Sequence, residues 1–523
     1  MSRRKLEAFT ALSTQGFKPQ SLRRSSLDIE THILFNKTAT QTRLGSLPDN
    51  PFMVQTVIED LKTRWTVNAI REIVPHVGDI LPCSGPYVWE NITEVVPGEA
   101  DNYCADVAKR SGAAVLTGDS DLLVHDLGPD GSVIFFNSIE SNGGSTNEPL
   151  RIRATEILPK QVAKKLGVRS IQRFAYELKR DPHLNRGKIV QAAKENVGGV
   201  ENNAPYIAFL REYAPVEEST TLSKDIQEFD PKVLELYLQF THLGYGAEDQ
   251  SPVIYLPMLV ENHSRRCAWR DGDELRALAF SVLNLSVSAD QRKETVLEYS
   301  RRGARLSPIA INLFQEDELR KILSGLCGRL QSVFDNCGGP ALLSWKVFAL
   351  QEIFSERDVD SWPTRGHMRN FLGTGRCNAT MSWDDIHLNA QIQSIFYSLR
   401  ILRQFLEVSV SHHGFDLKGD SALILQLLRE LPPLRILSHS ISDVLTSGTI
   451  PTNSLQKAVG VLFSVKGQRQ GPGKQFGMSD NDNGRIGDMQ ACSTPSAKTA
   501  NIAKPPKRLK RTNNPYEMLG NID

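Results

Sequence analysis

The chain has 523 residues, with Lys+Arg 61 against Asp+Glu 60 and a formal net charge of +1 at pH 7. That balance excludes a wholly basic nucleic-acid-coating protein, so any basic surface is local. The length points to two or three domains, and 40% hydrophobic residues supply material for their cores. No stretch reaches the roughly eighteen consecutive apolar residues of a membrane span, and the basic start of the chain is not followed by the apolar run of a secretory signal. The seven cysteines are odd in number and show no CxxC spacing, so they read as thiols of a reducing compartment rather than a zinc site or disulfide framework.

In chain order, residues 1–50 are polar, with one short helical pattern at 4–12. Residues 51–66 have helical spacing, with Phe52, Val54, Val57, Ile58 and Leu61 on one side. Residues 70–90 read as a loop punctuated by Pro75, Pro82 and Pro86. A new rhythm then begins: a strand at 91–96, a break at Pro97-Gly98, a helix at 99–111 ended by Gly112, a strand at 113–117, and a third strand at 131–136. Strand, helix and strand over 91–117 form a βαβ unit, which implies parallel strands.

From about 155 to 465 the pattern is mostly helical. Helices are expected at 171–180, 187–197, 203–213, 230–241, 272–286, 317–335, 341–356, 384–410, 420–430 and 452–464, and their apolar stripes read as helix packing. Residues 466–523 lack large apolar side chains and are expected to be disordered. Within them, Lys504, Lys507, Arg508, Lys510 and Arg511 form a compact basic cluster, either a nuclear-import signal or a solvated charge run. The expected location is therefore nuclear, otherwise cytoplasmic, and not secreted. Pro515-Tyr-Glu-Met-Leu519 is a small apolar island that suits docking on a protein partner.

Chemistry is concentrated in four carboxylates. Glu99 and Asp101 follow the first predicted strand, and Asp119 and Asp121 follow the second. In open α/β sheets ligands bind beyond the carboxyl ends of the strands, so both pairs are expected in one crevice. Asp119 and Asp121 converge if the chain there is extended. Glu99 and Asp101 would diverge by about 200° on a regular helix, and converge only if Glu99 lies in the non-helical entry. Clustered carboxylates repel unless neutralised, and hard divalent cations such as Mg²⁺ or Mn²⁺ are their natural partners. Two such ions about 3.5–4 Å apart activate water and stabilise a leaving oxygen in phosphodiester cleavage. Taken singly, each pair also reads as ordinary helix capping and loop solvation. A calcium loop is excluded because Leu123 occupies a ligand position.

Val95-Val-Pro-Gly-Glu-Ala-Asp-Asn-Tyr-Cys-Ala-Asp106 and Gly112-Ala-Ala-Val-Leu-Thr-Gly-Asp-Ser-Asp-Leu-Leu-Val124 resemble the internal motif of the XPG/flap-endonuclease superfamily. The motif occupies 95–126. Phe174-Ala-Tyr-Glu-Leu-Lys-Arg-Asp-Pro-His183, Val253-Ile-Tyr-Leu-Pro-Met-Leu-Val-Glu261 and Leu275-Arg-Ala-Leu-Ala-Phe-Ser-Val-Leu283 resemble fungal Asteroid-domain proteins. The resemblance implies an α/β PIN-like fold with a partial, mostly parallel sheet over 1–155. It implies a large, mainly α-helical, Asteroid-like region over 156–465, before the disordered tail. It further implies Glu99, Asp101, Asp119 and Asp121 as catalytic Mg²⁺ (or Mn²⁺) ligands of a two-metal, structure-selective nuclease acting on nucleic acid, DNA more than RNA, with a role in DNA repair.

Two features depart from the family pattern. The acid-bearing strands that open such domains do not appear before residue 50, so the chain is expected to lack the N-terminal part of the nuclease domain. Where the family carries a further Asp pair, this chain offers Glu177 and Asp181. Asp181 is a candidate ligand that also reads as a helix-ending Asp before Pro182. The alternative function is thus a catalytically impaired PIN-like scaffold that binds nucleic acid, or binds a protein through the helical region or tail. A phosphatase-type site is disfavoured, because no Lys follows Asp119 and Ser120 in the loop.

Overall fold

The computed structural model describes residues 50–65, 93–142, 151–195, 203–214, 228–241, 251–303, 305–355, 357, 362–413, 420–438 and 450–464. The expected helix at 4–12, the loop at 70–90 and the tail with its basic cluster and apolar island lie outside these residues. The described residues bury two main hydrophobic cores.

The smaller core gathers around a three-stranded sheet. Helix α2 (Ala100–Ser111) leads into β1 (Ala114–Thr117). Gly112 ends the helix at φ 69°, and its N–H donates to the carbonyl of Ala108. This left-handed cap is one that only glycine adopts cheaply. β1 pairs in parallel with β2 (Ser132–Phe135), from Ala114 opposite Ser132 to Thr117 opposite Phe135. β5 (Glu156–Ile157) adds antiparallel to β2, so the sheet is mixed rather than mostly parallel. A separate hairpin pairs β3 (Glu140–Asn142) with β4 (Arg151–Arg153). Between β1 and β2 the chain makes a 3-10 turn at Ser120–Leu123. Leu122, Leu123, Val124 and Leu127 of this crossover are buried. Each anchors the loop by about 1.5–3 kcal/mol. Gly131 passes so close to the Leu127 carbonyl that an added Cβ would lie 2.1 Å from its oxygen.

Helices α3 (Pro159–Leu166), α4 (Ile171–Arg180), α5 (Arg186–Lys194) and α6 (Ala204–Glu212) close the same core through Val162, Phe174, Ile189 and Phe209.

The expected strand at 91–96 is not formed over 93–96, which is irregular. Val95 is buried instead in the larger, helical core. Pro97 then removes a ladder donor, and the Gly98 N–H donates to Glu235 Oε1 at 3.1 Å. The parallel pair is therefore built by the second and third expected strands, not by the first and second.

The larger core is spanned by α12 (Trp383–His413), packed against α8 (Asp273–Ser286) and α10 (Ala341–Ser355). Around it lie α7 (Pro231–Thr241), α9 (Glu316–Cys337), α11 (Arg365–Thr374), α13 (Asp420–Arg429) and α15 (Thr452–Ser464). Helix α1 (Met53–Thr63) contacts the short α14 (Leu434–Ser438).

The mainly helical expectation for this region omits a sheet. β6 (Val253–Tyr255) runs parallel to β7 (Thr295–Arg302), which forms a long antiparallel hairpin with β8 (Arg305–Asn312). The inward face of β7 carries Glu298 and Ser300 beside Val296. A buried face with polar residues does not show the apolar alternation by which strands are recognised. Among the described residues no helix is long and apolar enough to cross a membrane, and Cys104, Cys267, Cys327, Cys337 and Cys377 are free thiols.

Candidate metal centre

The four motif acids leave two short elements that meet at the sheet. Glu99 occupies the N-cap of α2 in an extended conformation, φ −91° and ψ 118°, just after Gly98 at φ 78°. Asp101 follows in the first helical turn. Glu99 therefore lies in the non-helical entry and is not held to the angular separation a continuous helix imposes on residues two apart.

Asp119 caps the 3-10 turn after β1. Its N–H donates to Thr117 Oγ1 at 2.9 Å, and its Oδ1 accepts from the Asp121 N–H at 3.1 Å. The chain is extended only at Asp119 and has entered the turn by Asp121. Burial of Leu122 and Leu123 bends it there, so the extended run expected to align this pair is interrupted. Glu99 and Asp119 are exposed, whereas Asp101 and Asp121 are half-buried.

The two pairs share one electrostatic field. The Asp101 carboxyl is pushed up to about 6, first by burial and then by Asp119, Asp121 and Glu99 in that order. The Cys104 thiol is pushed up by burial and by Asp101. Cations on α2 are already engaged: Lys109 bonds Asp126 at 2.6 Å, and Arg110 bonds Asp106 at 2.7 Å. Among the described residues, no three His, Cys, Asp or Glu side chains stand gathered as a ready-made metal site. Carboxylates facing one another without a counter-charge relax apart. Their hard, anionic oxygens are nevertheless the donor type that Mg²⁺ and Mn²⁺ prefer, so the donor set fits such an ion.

Asp181 is placed differently. It caps the C-terminus of α4, its Oδ1 accepts from the His183 N–H at 3.1 Å, and it is not among the charges acting on Asp101. Glu177 is buried between Arg173 at 2.5 Å and Arg180 at 2.7 Å, an ion-pair role.

One functional candidate, His125, carries no signal in the sequence. It is buried and packs edge-on against Tyr213 at 5.2 Å, and its Nδ1 has no hydrogen-bond partner. Burial pushes it down to about 4, opposed by a backbone hydrogen bond at Tyr213 and by the charge of Asp119. A lone His inside Leu122-Leu-Val-His-Asp-Leu127 carries no spacing signal that would have marked it.

Comparison with known proteins gives the family. The chain is 27% identical over 270 residues to Asteroid homolog 1 of Schizosaccharomyces pombe (strain 972 / ATCC 24843), covering 49% of this chain and 48% of that protein. It therefore spans about half the length of that relative. No solved structure matches the chain. The family described as "XPG domain containing" matches residues 49–313, more than half of the 523 residues, and takes in all four acids. On that match, the chain belongs to the XPG-domain family.

Proposed function

We propose that the chain is a divalent-metal-dependent nuclease that cleaves nucleic-acid phosphodiesters, DNA before RNA, at Glu99, Asp101, Asp119 and Asp121. The observation that carries this reading is the single field joining the four acids, in which three carboxylates and burial raise Asp101 to about 6. Like charges acting on one another in this way cost stability and are typical of sites tuned for chemistry. Membership of a nuclease-like family supports the same reading.

When bound, Mg²⁺ or Mn²⁺ supplies water activation and charge neutralisation at the scissile phosphate. The residues of this chain do the holding. Gly98 and Glu99 set the entry to α2 so that Asp101 faces the loop after β1. The Asp119 cap fixes the turn that presents Asp121. Leu122, Leu123 and Val124 tie that turn to the core. We also propose that this body is PIN-like and extends through α6, because α3 to α6 share a core with the sheet.

The test is cleavage of flap and single-stranded DNA, and of matched RNA, by the full chain with Mg²⁺ or Mn²⁺. Wild type is expected to cleave. Asp119→Asn keeps an oxygen for the cap but removes a charge, and is expected to lower the rate on the order of 10²-fold or more. Cleavage untouched by Asp119→Asn would remove these acids from the reaction.

A further inference from the structure

The larger body contains a cavity with an arginine-rich wall. The cavity, of about 360 Å³, opens between the loop before α8, the end of α10 and the first half of α12. Arg265, Arg266, Arg357, His387, Gln391 and Asp271 line it, with Ile353 as an apolar wall. Among the described residues of the wall itself there are three guanidiniums and one carboxylate, with Asp384 paired to Arg265 at the rim.

The wall groups are held in place. Arg357 Nη2 donates to Gln391 Oε1 at 3.1 Å, and Gln391 Nε2 donates to Asp271 Oδ2 at 2.9 Å. The Arg357 guanidinium also lies 5.2 Å from the centre of the Phe354 ring. Arg265 leans on Asp384 at 2.7 Å, while Arg266 stands 3.9 Å from Asp271 and is 61% exposed. Behind them, the His387 side chain is only 4% exposed, and its Nδ1 has no hydrogen-bond partner. The nearest carboxylate, Glu261, is 3.8 Å away and already accepts from Arg301 and from the Ala268 N–H, each at 2.6 Å. Burial pushes Arg357 down from the usual arginine range, opposed first by Asp271, with Arg265 and Arg266 adding smaller depressions. His387 is pushed down to about 4 by burial, with Arg265, Arg301 and Arg357 adding and Glu261 opposing.

A buried imidazole nitrogen without a partner, facing a cavity wall rich in guanidiniums, is an arrangement that an anion completes. Planar guanidinium forks match the oxygens of a phosphate, and a phosphomonoester brings close to two negative charges. The volume lies at the small end of ligand pockets, enough for a phosphate and an attached ring. We propose that this cavity binds a phosphomonoester, with Arg357 as the central fork, Arg265 and Arg266 at the mouth and His387 donating from the floor. The phosphate comes either from a small phosphorylated ligand or from the terminus of a nucleic-acid strand. The proposal does not rest on the nuclease reading.

The test is equilibrium binding to the full chain without divalent metal, using inorganic phosphate, a nucleoside monophosphate, and one oligonucleotide with and without a 5′-phosphate. Binding of a phosphorylated probe is expected, weakened about tenfold or more in Arg357→Gln and in Arg266→Gln. Arg266→Gln alters an exposed side chain and keeps the test open if Arg357→Gln fails to fold. A 5′-phosphate preference lost in the variants assigns the strand terminus. Equal binding of the two oligonucleotides, with the monophosphate bound through the arginines, assigns a small ligand. No phosphorylated probe bound at millimolar concentration, or affinity unchanged in both variants, overturns the proposal. Because no metal is present, failure of the acids as a nuclease leaves this result standing.

Discussion

Two buried histidines show how far single residues depend on their surroundings. His387 has a folded value near 4 against 6.5 for the free side chain. The unfolded chain therefore binds a proton between those values while the folded chain does not, and stability drops as pH falls through that window. The full effect is on the order of 3 kcal/mol. The groups facing His387 are Glu261, Arg265, Arg301 and Arg357, and only Glu261 opposes the depression. Urea denaturation of wild type and His387→Gln at pH 7 and pH 4 tests this. The stability difference between the two should move by about 3 kcal/mol in favour of the variant at pH 4, and an unchanged difference would contradict it. At this scale the positions of the four candidate acids at element ends were legible in the sequence, because each sits beside punctuation, Pro97-Gly98 or Gly118, that fixes where an element starts or ends. His125 and His387 were not, since burial, and for His387 the charge of residues distant in sequence, leaves no trace in local spacing.

Elements of the larger body are tied by ion pairs that cross the core. Arg276 of α8 is fully buried and donates to Glu298 of β7 at 2.5 and 2.7 Å, to Ser398 of α12 at 2.9 Å and to the Trp269 carbonyl at 2.8 Å. Removing one partner strands the other charge in a dry interior. Arg276→Met is expected to lose about 3–5 kcal/mol, while Arg276→Met with Glu298→Leu recovers most of it. Equal losses in single and double variants by urea titration would show that the pair is not the cause.

Arg400 does similar work for α1, binding Asp230 at 2.9 Å through two nitrogens and Glu59 at 3.2 Å. Glu59 in turn accepts from the Leu434 N–H at 2.7 Å. Helices such as α4, α8 and α15 were readable because their apolar residues recur at helical spacing. The β7–β8 hairpin was not, because its inward residues Glu298 and Ser300 are polar and find their partners on another element. The strand expected near 93–96 failed for a related reason: Val95 is apolar, but its burial is supplied by the helical core and not by a neighbouring strand.

At the scale of the whole molecule, one core holds the sheet with α2 to α6, and another holds α1 and the elements from α7 onward. Separate cores melt as separate units unless their interface is large. Differential scanning calorimetry is expected to resolve two transitions, and Arg276→Met should lower only the one belonging to the helical body. A single transition that shifts as a whole would mean that the cores are coupled.

The acids sit in the smaller unit, and a nuclease role for them requires that they hold a divalent cation. Calorimetric titration of Mn²⁺ into the full chain is the most direct measurement. The expected result is saturable binding that is lost in Asp121→Ala and weakened at least tenfold in Asp119→Asn. Mn²⁺ binding that is no tighter than to a scattered acidic surface, or equal in wild type and Asp121→Ala, would contradict it.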